Sequence, residues 1–107
     1  MKLKNKKVII TGGASGMGKA TAKLFCNEGA IVAIMDINKD EGEKTVNEIN
    51  STDQKAFFFH TDLTKSNEVK KSVSKILDLF GTVNILFNHA GTIIVKPLHE
   101  SSEEDYD

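Results

Sequence analysis

Residues 8–21 read VIITGGASGMGKAT. The stretch opens with four β-branched residues, Val8 to Thr11, which suit a short buried strand. It breaks at Gly12 into a turn rich in glycine, with Gly13, Gly16 and Gly18 following, and then takes on helical spacing. A strand that feeds a helix through a glycine turn is the opening of a strand–helix–strand unit. The rest of the chain decides whether that unit is repeated.

It is repeated. Met17, Ala20, Leu24 and Phe25 recur at helical spacing, and Gly29 stops the helix. AIVAIMD (30–36) is a continuously apolar strand ending in an acid. Asn38 is placed to cap the next helix with Glu41 as its capping-box partner, and that helix carries Thr45, Val46 and Ile49 on one face. KAFFFHTD (55–62) is a third strand, with Thr64 as the N-cap expected after it. Val69, Val73, Ile76, Leu77 and Phe80 stand at offsets 0, 4, 7, 8 and 11, the pattern of an amphipathic helix, which Gly81 closes. VNILFNHAG (83–91) is a fourth strand running into a loop. LHESSEEDYD (98–107) reads as the opening of a further helix, with Ser101 or Ser102 as N-cap and acids in the first turn. Pro97, the single proline, is expected after the last strand, where it interrupts nothing. The order β-α-β-α-β-α-β with continuously apolar strands predicts an α/β protein whose parallel sheet is covered on both faces. Right-handed crossovers make that sheet doubly wound, in three layers.

Composition narrows the function classes. At 107 residues, 39% hydrophobic and 27% charged, the chain fits one globular domain. No apolar run approaches the roughly 20 residues that cross a bilayer, so no membrane partner is expected. MKLKNKKVIITGG passes into the glycine turn without a cleavage pattern, which argues against a signal peptide. Cys26 is the only cysteine and fits a reducing, cytoplasmic setting; it is expected midway along the first helix, packed on the sheet. All 14 basic residues are lysines scattered up to Lys96, while five of the 15 acids lie in the last eight residues. That balance does not point to nucleic acid. His60, His89 and His99 show no metal-ligand spacing, and the FFF run (57–59) reads as a core strand. DINKD (36–40) copies the start of a calcium loop, but Glu41 stands where that loop needs glycine and Asn47 where it needs glutamate.

A glycine turn before a helix cradles phosphate, because backbone N–H groups and the helix N-terminus both favour an anion. From Gly13 the letters GASGMGK match seven of the eight positions of the P-loop of ATP- and GTP-binding proteins. The eighth must supply a hydroxyl to Mg²⁺, and Ala20 has none; Thr21 lies one residue late, about 100° around the helix. The other reading, T-G-x-x-x-G-x-G from Thr11, is a dinucleotide loop. It requires an acid at the end of the second strand for the ribose hydroxyls, and Asp36 stands 18 residues beyond Gly18. A carboxylate there repels a 2′-phosphate, and the chain has no arginine to receive one. NAD is therefore favoured over NADP.

At these residues the chain resembles the short-chain dehydrogenase/reductase family, whose nucleotide loop is TGxxxGxG. The resemblance runs the length of the chain and recurs at Asp36, at Asp62-Leu63 after the third strand, and at Asn88-His89-Ala90-Gly91 after the fourth. It implies the Rossmann fold of that family, of which residues 1–107 would be the N-terminal, NAD-binding portion. It implies that Gly12, Ser15, Gly16, Met17 and Gly18 hold the pyrophosphate and adenosine ribose. Asp36 would select NAD with Ile37 beside the adenine. Asp62, with Leu63, would bond the adenine amino group, and Asn88, Ala90 and Gly91 would line the cofactor pocket. His89 replaces the family's usual second asparagine.

The family's activity is hydride transfer between the nicotinamide and an alcohol or carbonyl substrate, driven by a tyrosine with a lysine four residues later. Tyr106 is the only tyrosine here, and one residue follows it, so this chain contains no such pair. The resemblance thus implies a fragment without catalytic residues, inactive alone and completed by a C-terminal half. A stand-alone nucleotide-binding module without catalysis is the alternative. The source gene beyond codon 107 separates the two, since only the first continues into a serine and then Y-x-x-x-K. In the family's strand order, 3-2-1-4-5-6-7, the strand at 83–88 would be an unpaired apolar edge in this chain. Self-association or partial folding of the isolated chain follows from that, and a homo-oligomer is expected.

Overall fold

A computed structural model describes residues 3–12, 16–51, 55–88 and the backbone of 93–99. Strands β1 (Lys7–Thr11), β2 (Ile31–Asp36), β3 (Ala56–His60) and β4 (Thr82–Phe87) alternate with helices α1 (Gly16–Asn27), α2 (Lys39–Ile49) and α3 (Ser66–Phe80). A further strand, β5 (Ile93–His99), follows β4. The sheet order is β3-β2-β1-β4-β5, with the first four strands parallel. Strand β1 is central, pairing Val8 with Val32 on one side and with Ile85 on the other. That is the expected doubly wound sheet, its order reversing direction between β1 and β4.

Alternate residues of each strand fill two separate cores. Val8, Ile10, Val32, Ile34 and Ala56 face α1 and α2 and pack with Ala22 and Cys26, with Val46 and Ile49 of α2 at the margin. Ile9, Ala33 and Met35 face α3 and pack with Ile76, Leu77 and Val83, with Val69, Val73 and Phe80 alongside. The α3 periodicity was thus readable directly. Helix α2 approaches β3 so closely that a Cβ on Gly42 would collide with the Phe58 ring. Burial of these branched and aliphatic side chains is the main stabilising term, about 25 cal/mol for each Å² of apolar surface removed from water.

The ends of elements are tied by side chains. Asn38 caps α2 by accepting the Glu41 N–H at 3.1 Å, as expected. Asn50 donates to the Ala56 carbonyl at 2.8 Å and accepts from the N–H groups of Lys55 and Ala56, so it starts β3. The Asn84 side chain accepts the Lys7 N–H, which begins the β1–β4 pairing.

Several expectations are corrected. The edge of β4 is not unpaired: β5 lies antiparallel on it, from Phe87 opposite Ile93 to Thr82 opposite His99. Leu98-His99, expected to open a helix, are the end of that strand, while residues 100–107 lie outside those described. Unpaired backbone groups along an apolar edge favour the nearest segment that can extend, and IIVKPLH can. Pro97 therefore falls inside a strand. It sits where Lys96 and Pro97 together oppose Asn84, a bulge on an edge strand, which is where a residue lacking an N–H is tolerated. The edge on which the expected self-association rested is thus occupied.

The other corrections are local. The buried face of α1 is Gly18, Ala22 and Cys26, while Met17 and Leu24 are exposed. Small residues face the sheet here because they let the helix lie close to it, and hydrophobicity alone gave the wrong phase. Cys26 is buried, but in the last turn of α1, where burial pushes its thiol up to about 11 against the pull of Lys55. Thr64 does not cap α3: the cap position is Lys65 and has no side-chain bond. The Thr64 hydroxyl turns back to Asp62 instead.

One buried polar pair links β3 to α3. The hydroxyls of Thr61 and Ser72 lie 2.6 Å apart, and Thr61 also donates to the Phe59 carbonyl at 3.0 Å. Replacing Thr61 with Val leaves the Ser72 hydroxyl buried without that partner, a cost of about 1–3 kcal/mol. We expect urea unfolding to show that loss for Thr61→Val and most of it recovered in Thr61→Val/Ser72→Ala. Equal stability of the single and double variants would contradict the pairing.

Candidate functional site

Parallel strands place their carboxyl ends on one edge of the sheet, and four singled-out positions meet there. Gly12 follows β1, Asp36 ends β2, Asp62 lies two residues beyond β3, and Asn88 follows β4. The Thr11 hydroxyl reaches toward Asn88 Oδ1 at 3.5 Å, joining the ends of the two central strands across the crevice. Residues separated by 77 positions thus border one site.

The glycine turn has the backbone that only glycine adopts readily. Gly12 has φ +72° and Gly16 φ +59°. The N–H of Gly12 donates to the Met35 carbonyl at 2.7 Å, so this residue shapes the turn and fastens it to β2. Helix α1 starts at Gly16. The first N–H groups of a helix have no partner within it, which gives Gly16, Met17 and Gly18 the donors and partial positive charge that suit an anion. A Cβ on Gly16 would meet nothing within 4 Å, so the space beside the turn is open. Ser15 lies outside the described residues, as do His89, Ala90 and Gly91.

The residues a P-loop would need are engaged elsewhere. Lys19 Nζ is 3.1 Å from Glu48 of α2, which also holds Lys23 at 3.0 Å. These two lysines keep the Glu48 carboxyl below its ordinary range, Lys23 contributing most. The Thr21 hydroxyl donates to the Met17 carbonyl at 2.8 Å along its own helix.

Two carboxylates stand in short turns at the strand ends. Asp36 Oδ1 accepts the Asn38 N–H at 2.9 Å, which takes the place of the expected Glu41 side chain in the capping box. Beside it, Ile37 is 60% exposed. Asp62 Oδ1 accepts both the N–H and the hydroxyl of Thr64, at 3.0 and 2.6 Å. These bonds, the hydroxyl first, hold the Asp62 carboxyl below its ordinary range. Leu63, next in the chain, is 40% exposed. An exposed aliphatic side chain thus stands next to each acid.

A cavity of about 390 Å³ opens at this edge on the α3 side of the sheet. Thr11, Asn88 and Leu63 border it, with Ile9, Met35 and Leu86 of the sheet and Val69, Lys70 and Val73 of α3 completing the wall. Sequence reasoning had assigned those α3 valines only to the core. It also missed Glu68, whose carboxylate accepts the Asp62 N–H at 3.0 Å and ties the acid to the first turn of α3. A carboxylate early in a helix just after a strand-end acid was the available signal. Among the described residues no cluster of His, Cys, Asp and Glu could hold a metal ion.

A central parallel strand that ends in a glycine turn and a helix N-terminus, with a carboxylate closing its neighbour, defines a doubly wound α/β protein of the dinucleotide-binding kind. The short chain dehydrogenase family model matches residues 6–107, and the chain belongs to that family. It is 50% identical over 90 residues to an uncharacterized oxidoreductase of Bacillus subtilis, covering 84% of this chain and 33% of that protein. It is 37% identical over 106 residues to a cyclopentanol dehydrogenase of Comamonas, covering 99% of this chain and 42% of that one. The chain therefore spans roughly a third to two-fifths of the length of these relatives. Among solved structures it is similar to a 3-ketoacyl-(acyl-carrier-protein) reductase from Brucella melitensis complexed with NADH. That match has a TM-score of 0.73 and 37% identity, and covers 78% of this chain and 33% of the other.

The Asp62 turn makes a pH prediction. A carboxyl depressed in the folded state stabilises that state above its unfolded pKa, and the contribution fades as pH falls through the lower, folded value. NMR titration of the Asp62 carboxyl should give a midpoint below that of an ordinary aspartate. Thr64→Val, which removes the hydroxyl and keeps the N–H, should raise it part of the way back. An ordinary midpoint in the unmodified protein would contradict the geometry.

Proposed function

We propose that this chain is the NAD-binding half of an NAD-dependent oxidoreductase that transfers hydride between the nicotinamide and a small alcohol or carbonyl compound. The observation that carries the reading is the juxtaposition of the Gly12–Gly18 turn with the Asp36 carboxylate at the ends of paired strands, Thr11 lying opposite Met35. The NADH held by the similar Brucella reductase supports it.

The residues present suit the cofactor. Backbone N–H groups of Gly16, Met17 and Gly18 would hold the pyrophosphate, with Ser15 beside them. Asp36 would accept the adenosine ribose hydroxyls and repel a 2′-phosphate, which favours NAD. Ile37 and Leu63 would flank the adenine, whose amino group would donate to Asp62. Asn88, Ala90 and Gly91 would continue the pocket toward the nicotinamide. The cofactor, when bound, supplies the hydride acceptor or donor. The chain's own residues orient it and exclude water from its apolar flanks. The 107 residues span roughly a third to two-fifths of the length of such relatives, and alone they are proposed to bind cofactor without turnover.

Binding of NADH, followed by its fluorescence, tests the reading. Asp36→Ala should weaken NADH by about tenfold or more, the worth of charge-assisted bonds to a ribose, and bring NADPH close to NADH. Lys19→Ala should leave both affinities unchanged. Unaltered NADH binding in Asp36→Ala, together with ATP binding lost in Lys19→Ala, would replace this reading with a P-loop one.

A further inference from the structure

His60 has no part in the reading above, yet its ring reaches the turn that bears Asp36. Strand β3 pairs with β2 to its last residue, so that His60 lies opposite Asp36. From there His60 Nε2 stands 2.9 Å from the carbonyl oxygen of Ile37. A carbonyl only accepts, so Nε2 carries the proton and donates.

The backbone bonds of this turn show why that contact matters. From the last residue of β2 to the start of α2 the chain has three carbonyls to satisfy. The Asp36 carbonyl accepts the Thr61 N–H at 2.9 Å, and the Asn38 carbonyl accepts the Gly42 N–H at 2.9 Å. Strand pairing thus holds one end of the turn and the helix holds the other. The Ile37 carbonyl lies between them, and the His60 side chain holds it. Ile37 and Asp36 are the residues whose side chains stand at the ligand edge, Ile37 being 60% exposed. A backbone rotation at Ile37 moves both together.

The geometry points to His60 as a positioning residue for the adenosine end of the cofactor, which fixes the Asp36–Ile37 turn through the Ile37 carbonyl and so sharpens the discrimination between NADH and NADPH. This rests on the dinucleotide reading of the site. His60 touches no ligand; it acts through the turn. Both the neutral ring with its proton on Nε2 and the imidazolium can donate this bond.

Two substitutions separate positioning from mere surface structure. In His60→Gln the amide nitrogen occupies about the place of Nε2 and can still donate to Ile37. In His60→Asn the side chain is one bond shorter and does not reach. NADH and NADPH affinities of the intact protein, measured by calorimetry beside the unmodified protein, give the test. We expect His60→Asn to weaken NADH about fivefold, the worth of one hydrogen bond, and to narrow the NADH-over-NADPH ratio, while His60→Gln stays within about twofold on both. Both variants matching the unmodified protein, or both weakened alike, would overturn the role of His60 and leave the dinucleotide reading standing. An unmodified protein that binds neither nucleotide would overturn the reading and the inference together.

Discussion

The site depends on one constraint: β1 is buried on both faces and paired on both sides. Val8, Ile9 and Ile10 have essentially no exposed surface, and β1 pairs with β2 and β4 at once. A strand so placed can leave the sheet only at its end, and it does so at Gly12, whose N–H is fastened to the Met35 carbonyl. The chain must then turn sharply to lay α1 back on the sheet, which is why glycines with positive φ stand at 12 and 16. The proposed phosphate cradle is the by-product of that turn, since the first N–H groups of α1 have no partner within the helix.

The remaining site residues follow from the same strand ends. Parallel pairing brings the end of β2 beside the glycine turn and the end of β3 beside β2, so Asp36 and Asp62 arrive on the same edge without any long-range search. Each acid is steadied by a neighbour two residues on, Asn38 for Asp36 and Thr64 for Asp62. Helix α3 adds Glu68 beneath Asp62, and the Thr61–Ser72 hydroxyl pair locks that helix to the strand before it. Rigidity at this edge therefore comes from short turns whose acids are held by neighbouring donors.

Much of this was legible in the sequence, because strongly apolar strands and glycine turns obey local rules. The four parallel strands, the three helices, the Asn38 cap and the α3 core face all came from periodicity and capping chemistry. What escaped depended on tertiary context. The phase of α1 was misread because Gly18, Ala22 and Cys26 win the sheet face by being small, against the larger Met17 and Leu24. Strand β5 escaped because Pro97 argues against a strand, and only the bulge opposite Asn84 reconciles the two. Thr64 looked like a cap because the sequence does not say that its hydroxyl will turn back to Asp62. The bond from His60 to Ile37 joins the end of one strand to the turn after its neighbour through a side chain, and no spacing rule announces it. Of the expected cofactor residues, those at strand ends and in α1 could be located, while Ser15, Ala90 and Gly91 fall outside the described segments.

A backbone amide NMR titration of the protein with NADH tests the central claim most directly. Shifts should concentrate at Gly12, Gly16 to Gly18, Asp36, Ile37, Asp62, Leu63 and Asn88, while residues at the opposite edge of the sheet, such as Lys7, Ile31, Ala56 and Thr82, stay in place. Shifts centred on that opposite edge, or none at saturating NADH, would contradict it.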